Sequence, residues 1–498
     1  MRSVPVRVVV VVVAALAAGC VAGGTPGDPP EPDRPALDEG GAGATTPALA
    51  GPESTSAACP DVLDAADATC ALLVVPEARG RPAGPVVEVA YAVLAATESP
   101  ERVGPDPPPL VVLPDGPGQS GLADAASWIA SPLRAGREVV LIDPRGTGRS
   151  FPSLDCGQPP RPGALPPDLV EDCRRQLDAE AVDRRAYDTA AMAADVLDLR
   201  QVLDVPAIDL LGVGHGARIA LAVIDREPEV VRAAVLDSPV PPEADVYADR
   251  PRTAQSVLNR LFDTCAEDRG CERRFGAIGP AVEQVVEALN DDVGETGGVS
   301  GDDLALAAVA ALRGAGPAEV PAALSLAVDG EPEAALARLQ EVAIAGAAVP
   351  SSAFAEGLRL SSDCRDEVPS SAVAGGGGGG DDGLGPVGLA VATDVERLVA
   401  ACALWDVGSA GEGADDPVTA DVFALVLSGE FDPLSPPAWG AATATGLDGT
   451  VVQVDGAGHR VHDVSECTLA IVDAFLLRPG ATVDDGCTEQ AGIDFVLG

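Results

Sequence analysis

The chain has 498 residues, enough for one large domain or two with ample core. Its formal charge is −45, and every basic residue is Arg, because the sequence contains no Lys. So acidic a surface excludes nucleic acid as a partner, since backbone phosphates need a cationic footprint. It also repels an anionic lipid surface and favours solubility.

Residues 1–20 read as an export signal. Arg2 and Arg7 precede an apolar stretch, residues 8–18, that is too short to span a bilayer. Residues 16–20 resemble the lipobox of bacterial lipoproteins, in which Cys20 would be acylated; Ala17 stands where Leu is usual. The expectation is an extracytoplasmic protein, lipid-anchored to the bacterial cell membrane and meeting it only through that anchor. Residues 21–57, rich in Gly, Pro, Thr, Ala and acidic residues without periodicity, read as a flexible tether.

Setting Cys20 aside leaves ten cysteines, an even number that suits disulfides in an exported protein. Spacing does not determine connectivity. Pairing sequence neighbours joins Cys59 to Cys70, Cys156 to Cys173, Cys265 to Cys271, Cys364 to Cys402 and Cys467 to Cys487. No C-x-x-C occurs, and His215, His459 and His462 are not at ligand spacing with the cysteines, so neither a metal nor another cofactor is expected.

The first core segment, residues 58–240, opens as a β-meander over 71–76 and 86–96. A buried-type strand, 109–113, runs into Asp115-Gly116-Pro117-Gly118-Gln119-Ser120. A second, 138–142, runs into a glycine-rich turn over 143–150. Its arginines read as parts of that turn rather than of a pocket. Residues 188–203 have helical periodicity. The strand 207–211 then leads through Gly212-Val213-Gly214-His215-Gly216 into a helical run, and 232–236 is a further strand closed by Asp237-Ser238-Pro239. From 241 to 417 the pattern is helical, with a low-complexity run at 375–380 expected to be mobile; this reads as a cap inserted over the pocket. The core resumes over 418–498. Strand 423–427 precedes Asp432, strand 450–454 precedes His459, and a helix over 464–477 closes the chain.

A strand, a glycine-flanked turn and a helix make the G-x-S-x-G nucleophile elbow of an α/β-hydrolase. Here Gly212 and Gly216 hold the flanking places, and Gly214 stands where the serine belongs. The turn strains its central residue, and glycine relieves that strain while deleting the hydroxyl. The order elbow, Asp432, His459 is that of nucleophile, acid and base. The expected oxyanion donors are the backbone N–H groups of Gly116 and His215.

These motifs together resemble the secreted tripeptidyl-aminopeptidase and proline-iminopeptidase-like (TAP-like) hydrolases of actinobacteria, over about Cys59 to Cys487. The matching stretches are the loop at 116–120, the turn at 143–150, the elbow, Gly429-Glu430-Phe431-Asp432-Pro433, Gly456-Ala457-Gly458-His459 and the Cys467…Cys487 tail. The resemblance implies an α/β-hydrolase fold, a mostly parallel sheet flanked by helices with an inserted helical cap. It implies removal of residues or short peptides from free N-termini through an acyl-enzyme. It also implies acidic cap residues that hold the substrate's α-ammonium; Glu367 is the residue to test, against the plainer reading of a solvated surface carboxylate. Besides Gly214, Asp115 departs from the family, which commonly has Gly there. Its carboxylate either faces the pocket, where it would oppose an oxyanion, or points outward.

The expectation is an envelope protein that has lost acyl-enzyme catalysis and binds a peptide, another envelope ligand or a protein partner. The alternative is an active hydrolase working by water attack from His459 or through another nucleophile, with Ser120 and Ser238 the hydroxyls in post-strand loops. Two consequences follow. Gly214→Ser alone should restore part of the activity if Asp432 and His459 are poised. Another side chain over Gly214, within reach of His459, would overturn the picture of an enzyme retired by a missing hydroxyl.

Overall fold

The computed structural model describes residues 51–498 except 65, 99–106, 158–165, 297, 348–352, 376–382, 412 and 489–491. Cys20, the signal segment, most of the tether and nearly all of the low-complexity run lie outside the described residues.

Nine strands form one sheet: β1 (Glu53–Ala57), β2 (Ala68–Pro76), β3 (Val86–Leu94), β4 (Leu110–Leu113), β5 (Val139–Ile142), β6 (Ile208–Val213), β7 (Val231–Asp237), β8 (Phe423–Gly429) and β9 (Asp448–Val454). Their order is β1-β2-β3-β5-β4-β6-β7-β8-β9. From β5 to β9 all neighbours are parallel, and β1, β2 and β3 add an antiparallel edge. The central strands are apolar at consecutive positions because both faces are covered. Val111, Leu113, Leu210 and Leu236 point into one cluster, and Leu110, Val112, Leu211 and Val235 into the other.

Residues 53–57, expected in the tether, are instead strand β1, paired with β2. The strand escapes a sequence reading because its residues are mostly exposed, so no apolar alternation is required of them.

The helices are α1 (Ala125–Ala130), α2 (Pro167–Ala179), α3 (Thr189–Val202), α4 (His215–Arg226), α5 (Val246–Glu267), α6 (Arg269–Phe275), α7 (Ile278–Thr296), α8 (Gly301–Ala310), α9 (Val320–Val328), α10 (Pro332–Ala347), α11 (Glu356–Ser362), α12 (Pro386–Trp405), α13 (Pro437–Gly446) and α14 (Glu466–Leu477). The insertion between β7 and β8 has a core of its own, with Leu258, Leu261, Leu304, Leu324 and Leu339 buried together. Its later part does not stand apart. Leu358, Leu360, Leu398 and Trp405 join the main core beside α3 and α4, so the second half of the insertion is a wall of the hydrolase body rather than only a lid.

Five disulfides join Cys59–Cys70, Cys156–Cys173, Cys265–Cys271, Cys364–Cys402 and Cys467–Cys487, the pairing of sequence neighbours. Five bridges in one chain fit an oxidising, extracytoplasmic compartment.

Candidate active site

The site lies at the carboxyl ends of the parallel strands, where open α/β sheets place their ligands. Gly214 separates β6 from α4 at φ 53° and ψ −112°, left-handed backbone that a β-carbon strains. Its N–H donates to the Asp237 carbonyl at 2.9 Å. The flanking glycines answer a different need. A β-carbon on Gly212 would overlap the backbone of Gly216, and one on Gly216 would overlap the carbonyl of Leu113. Residues 212–216 therefore have elbow geometry.

Asp432 follows β8 and His459 follows β9. Asp432 Oδ1 accepts the N–H groups of Leu434 at 2.8 Å and Ser435 at 2.9 Å, and Oδ2 lies 2.9 Å from His459 Nδ1. This bond fixes the ring with Nε2 towards Gly214. The cap seals the far side. His459 N–H donates to the Leu312 carbonyl at 2.9 Å, and Gly314 N–H donates to the His459 carbonyl at 2.7 Å. The segment just after α8 is thus laid along the histidine loop.

The space above Gly214 is not empty. The Asp115 carboxylate fills it, facing inward and 8% exposed. A β-carbon on Gly214 would overlap Asp115 Oδ1, far inside 3.0 Å, and would touch His459 Nε2 at 3.0 Å. A carboxylate from the β4 loop stands where a nucleophile's side chain would stand, 3.3 Å from His459 Nε2, and this overturns the picture of an enzyme retired by a missing hydroxyl alone. Gly214 and Asp115 are a steric pair: with a side chain at 214, the Asp115 carboxylate must move from its present place.

Asp115 is held on both oxygens. Oδ1 accepts the Gly116 N–H at 2.8 Å, so that expected oxyanion donor is consumed. Oδ2 pairs with the Arg313 guanidinium from the cap and lies 3.3 Å from His459 Nε2. The histidine contact is an ion pair lying off the line of a hydrogen bond, and Nε2 has no well-directed acceptor among the described residues.

Burial alone would push the imidazole down. The carboxylates of Asp432 and Asp115, one at each ring nitrogen, outweigh burial and push His459 up to about 10. Burial likewise opposes ionisation of Asp115, but Arg313 and His459 hold it far below the usual carboxylate range. The two carboxylates favour the imidazolium form. A general base must accept a proton, and an imidazolium already carries both.

His215 begins α4 with its side chain buried. Its Nε2 lies 3.3 Å from Thr189 Oγ1 and 3.2 Å from Ser362 Oγ, and both hydroxyls donate to Asp366 Oδ2. Nε2 therefore carries the proton. Burial, with the Arg218 charge behind it, pushes the ring down to about 3. Burial and the neighbouring Asp188 push Asp366 up to about 6. Glu367 is not a solvated surface carboxylate. It is largely buried against Arg218 on α4, 2.9 Å away, and burial outweighs that partner to push it up to about 8.

Both alternative hydroxyls are buried and donate to carboxylates. Ser120 Oγ donates to Asp143 Oδ1 at 2.6 Å, and Ser238 Oγ donates to Asp237 Oδ1 at 3.1 Å while accepting the Arg460 N–H. Arg145 of the glycine-rich turn is wholly buried on Asp195, a structural role. No group of three or more His, Cys, Asp or Glu in a metal-holding arrangement occurs among the described residues.

Two features escape a sequence reading. Arg313 lies 198 residues from Asp115 in a segment with no motif; its signal is only indirect, in that a buried carboxylate demands a cation. The second is a pair parallel to the first: His462 Nδ1 sits 2.7 Å from Asp237 Oδ2, and its ring stacks on Trp128.

A family model described as alpha/beta hydrolase fold matches residues 108–269, and one described as TAP-like protein matches residues 389–487. Serine protease Hip1 of Mycobacterium tuberculosis is 29% identical over 205 residues, covering 36% of this chain and 39% of that protein. Putative hydrolase YuaR of Escherichia coli is 24% identical over 217 residues, covering 39% of this chain and 42% of that protein. The matched stretches thus span about two-fifths of these relatives' length. The crystal structure of proline iminopeptidase from Mycobacterium smegmatis aligns with 81% of this chain and 97% of its own at 15% identity and a TM-score of 0.38. Sheet order and elbow geometry agree with the α/β-hydrolase fold that the first model describes, and the second match supports a TAP-like C-terminal part.

Proposed function

We propose that this protein is an extracytoplasmic, lipid-anchored member of the family that has given up acyl-enzyme chemistry and works by binding, its ligand a peptide or another envelope component. One observation carries the reading: a carboxylate, paired to Arg313 and His459, stands in the nucleophile's space. An acyl-enzyme needs a hydroxyl there, a neutral imidazole to deprotonate it, and free donors for the oxyanion. Gly214 supplies no hydroxyl, His459 is charged, and the Gly116 N–H is taken.

The steric pairing changes the expected rescue. Gly214→Ser alone sets its β-carbon against Asp115 and restores nothing. Asp115→Gly with Gly214→Ser clears the space and frees the imidazole of one carboxylate. The wild type should neither label with a serine-directed fluorophosphonate nor cleave aminoacyl or tripeptidyl amides. The double variant should label. Its turnover should exceed the wild type by at least ~100-fold, a small part of the roughly 10⁶ that a triad serine contributes. Wild-type turnover typical of a working peptidase would end the proposal.

A further inference from the structure

Three groups converge on the space above Gly214: the Arg313 guanidinium, the His459 Nε2–H and the Gly116 N–H. All three are donors and two belong to cationic side chains. They come from three separated parts of the chain and leave a gap the size of one carboxylate, which Gly214 keeps open by lacking a β-carbon. Convergent donors of this kind are what recognises a planar anion: a guanidinium and a second cation take one carboxylate oxygen, and a backbone amide takes the other.

The present occupant leaves one of these donors without a directed acceptor. Asp115 reaches the gap from the adjoining residue of the same loop, so its Oδ1 folds back on the N–H of its own neighbour, Gly116. Its Oδ2 lies 3.3 Å from His459 Nε2 without aligning, and that buried nitrogen, on a residue 1% exposed, is left without a directed acceptor. A better-placed acceptor would align with that nitrogen. The loop that carries Asp115 has Gly116 and Gly118 in left-handed backbone, so its path depends on glycine at both places. Behind Asp115 lies a small cavity of about 20 Å³ lined in part by Ser120, Trp128, Arg460 and His462. It can hold about one water.

We propose that the former catalytic centre is a carboxylate-binding site, that Asp115 is its tethered internal occupant, and that a free carboxylate from a peptide C-terminus or another small acid displaces it. This rests on the binding role proposed above and names the chemistry of the ligand. The site selects a terminal carboxylate over its amide, because an amide brings no charge to Arg313 and His459.

The test uses the full chain labelled with ¹⁵N-histidine. Only three histidines occur, so the His459 signals are resolved. Sodium acetate is titrated at constant ionic strength into wild type, Asp115→Gly, Asp115→Asn and Asp115→Gly with Arg313→Ala. Acetate should shift the His459 Nε2–H signal saturably in Asp115→Gly, with half-saturation at least tenfold lower than in wild type. Asp115→Asn, which keeps the space filled, should respond no better than wild type. The Arg313→Ala background should lose the response.

Trialanine with a free C-terminus should reproduce the acetate shift in the wild type at high concentration, and trialanine amide should not. Octanoate in place of trialanine separates an acyl from a peptide source. A folded Asp115→Gly protein whose His459 ignores acetate would overturn the proposal, as would a response indifferent to Arg313. If Asp115→Gly does not fold, the wild-type comparison of trialanine with its amide decides alone, and equal responses refute the site. None of these outcomes depends on fluorophosphonate labelling, which tests the loss of catalysis separately.

Discussion

Two Asp–His pairs stand side by side at the ends of the sheet, Asp432–His459 after β8 and β9, and Asp237–His462 at the end of β7. Their inner geometry is nearly the same, with Nδ1 to carboxylate distances of 2.9 and 2.7 Å. Their outer faces differ. His462 stacks its ring on Trp128 and has only the half-exposed Asp463 carboxylate 3.8 Å from its Nε2, while His459 has the buried Asp115 carboxylate at 3.3 Å. Asp237 also gathers the backbone N–H groups of Val461 and His462 and the Ser238 hydroxyl, so it acts as a clasp that fixes the His459–His462 loop. An oriented imidazole is thus no evidence of catalysis by itself. The group facing its free nitrogen decides whether it is a base, a structural tie or a trapped cation.

The largest expected effect breaks the clasp. Asp237→Ala leaves several buried donors and an imidazole without their acceptor, and should cost ~3–5 kcal/mol in chemical denaturation. If it instead costs under ~1 kcal/mol, the two pairs do not differ as described. Next comes Gly214→Ser alone, which overpacks the site against Asp115 and adds a strained φ. It should destabilise by ~1–3 kcal/mol, and Asp115→Gly in the same chain should relieve most of that cost.

Sharpening the comparison electrostatically, Asp115→Asn removes one of the two carboxylates that raise His459. Its pKa should fall from about 10 by ~1–3 units, the usual effect of one adjacent charge. The sign for stability follows from linkage. His459 is raised from its ordinary 6.5, so its contribution is full below pH 6.5 and is lost as pH rises towards 10. Asp115→Asn should flatten that alkaline decline.

A pH effect in the neutral range concerns the cap wall. Glu367 is raised from 4.5 to about 8, so the folded state binds its proton more tightly, and stability falls as pH climbs through that window. Glu367→Gln should remove this slope between pH 4.5 and 8. An unchanged slope would mean that Arg218 governs the pair.

Much of the fold was legible because local pattern and tertiary role coincide in it. Strand 110–113 is a continuous apolar run and 208–213 an apolar run broken by Asp209, which is buried on Arg137 and Arg232, because both faces are covered; glycines at 212 and 216 answer backbone contacts that no side chain could survive. Strand β1 was not legible, since a polar edge strand carries no burial signal. At the site, Gly214, Asp432 and His459 could be read from their positions after strands. The rotamer of Asp115 could not, because it depends on Arg313, which the fold delivers from a distant cap segment. That contact fills the summit that the sequence leaves empty and sets Asp115 against any side chain at 214. It leaves the acyl-enzyme without a hydroxyl all the same.

The most direct measurement is a ¹⁵N-histidine NMR titration of the wild type from pH 6 to 9. The account predicts that both ring nitrogens of His459 remain protonated across that range. A neutral His459 tautomer at pH 7 would contradict it, because the ring would then be free to act as a base and Asp115 would not be the counter-ion that holds it.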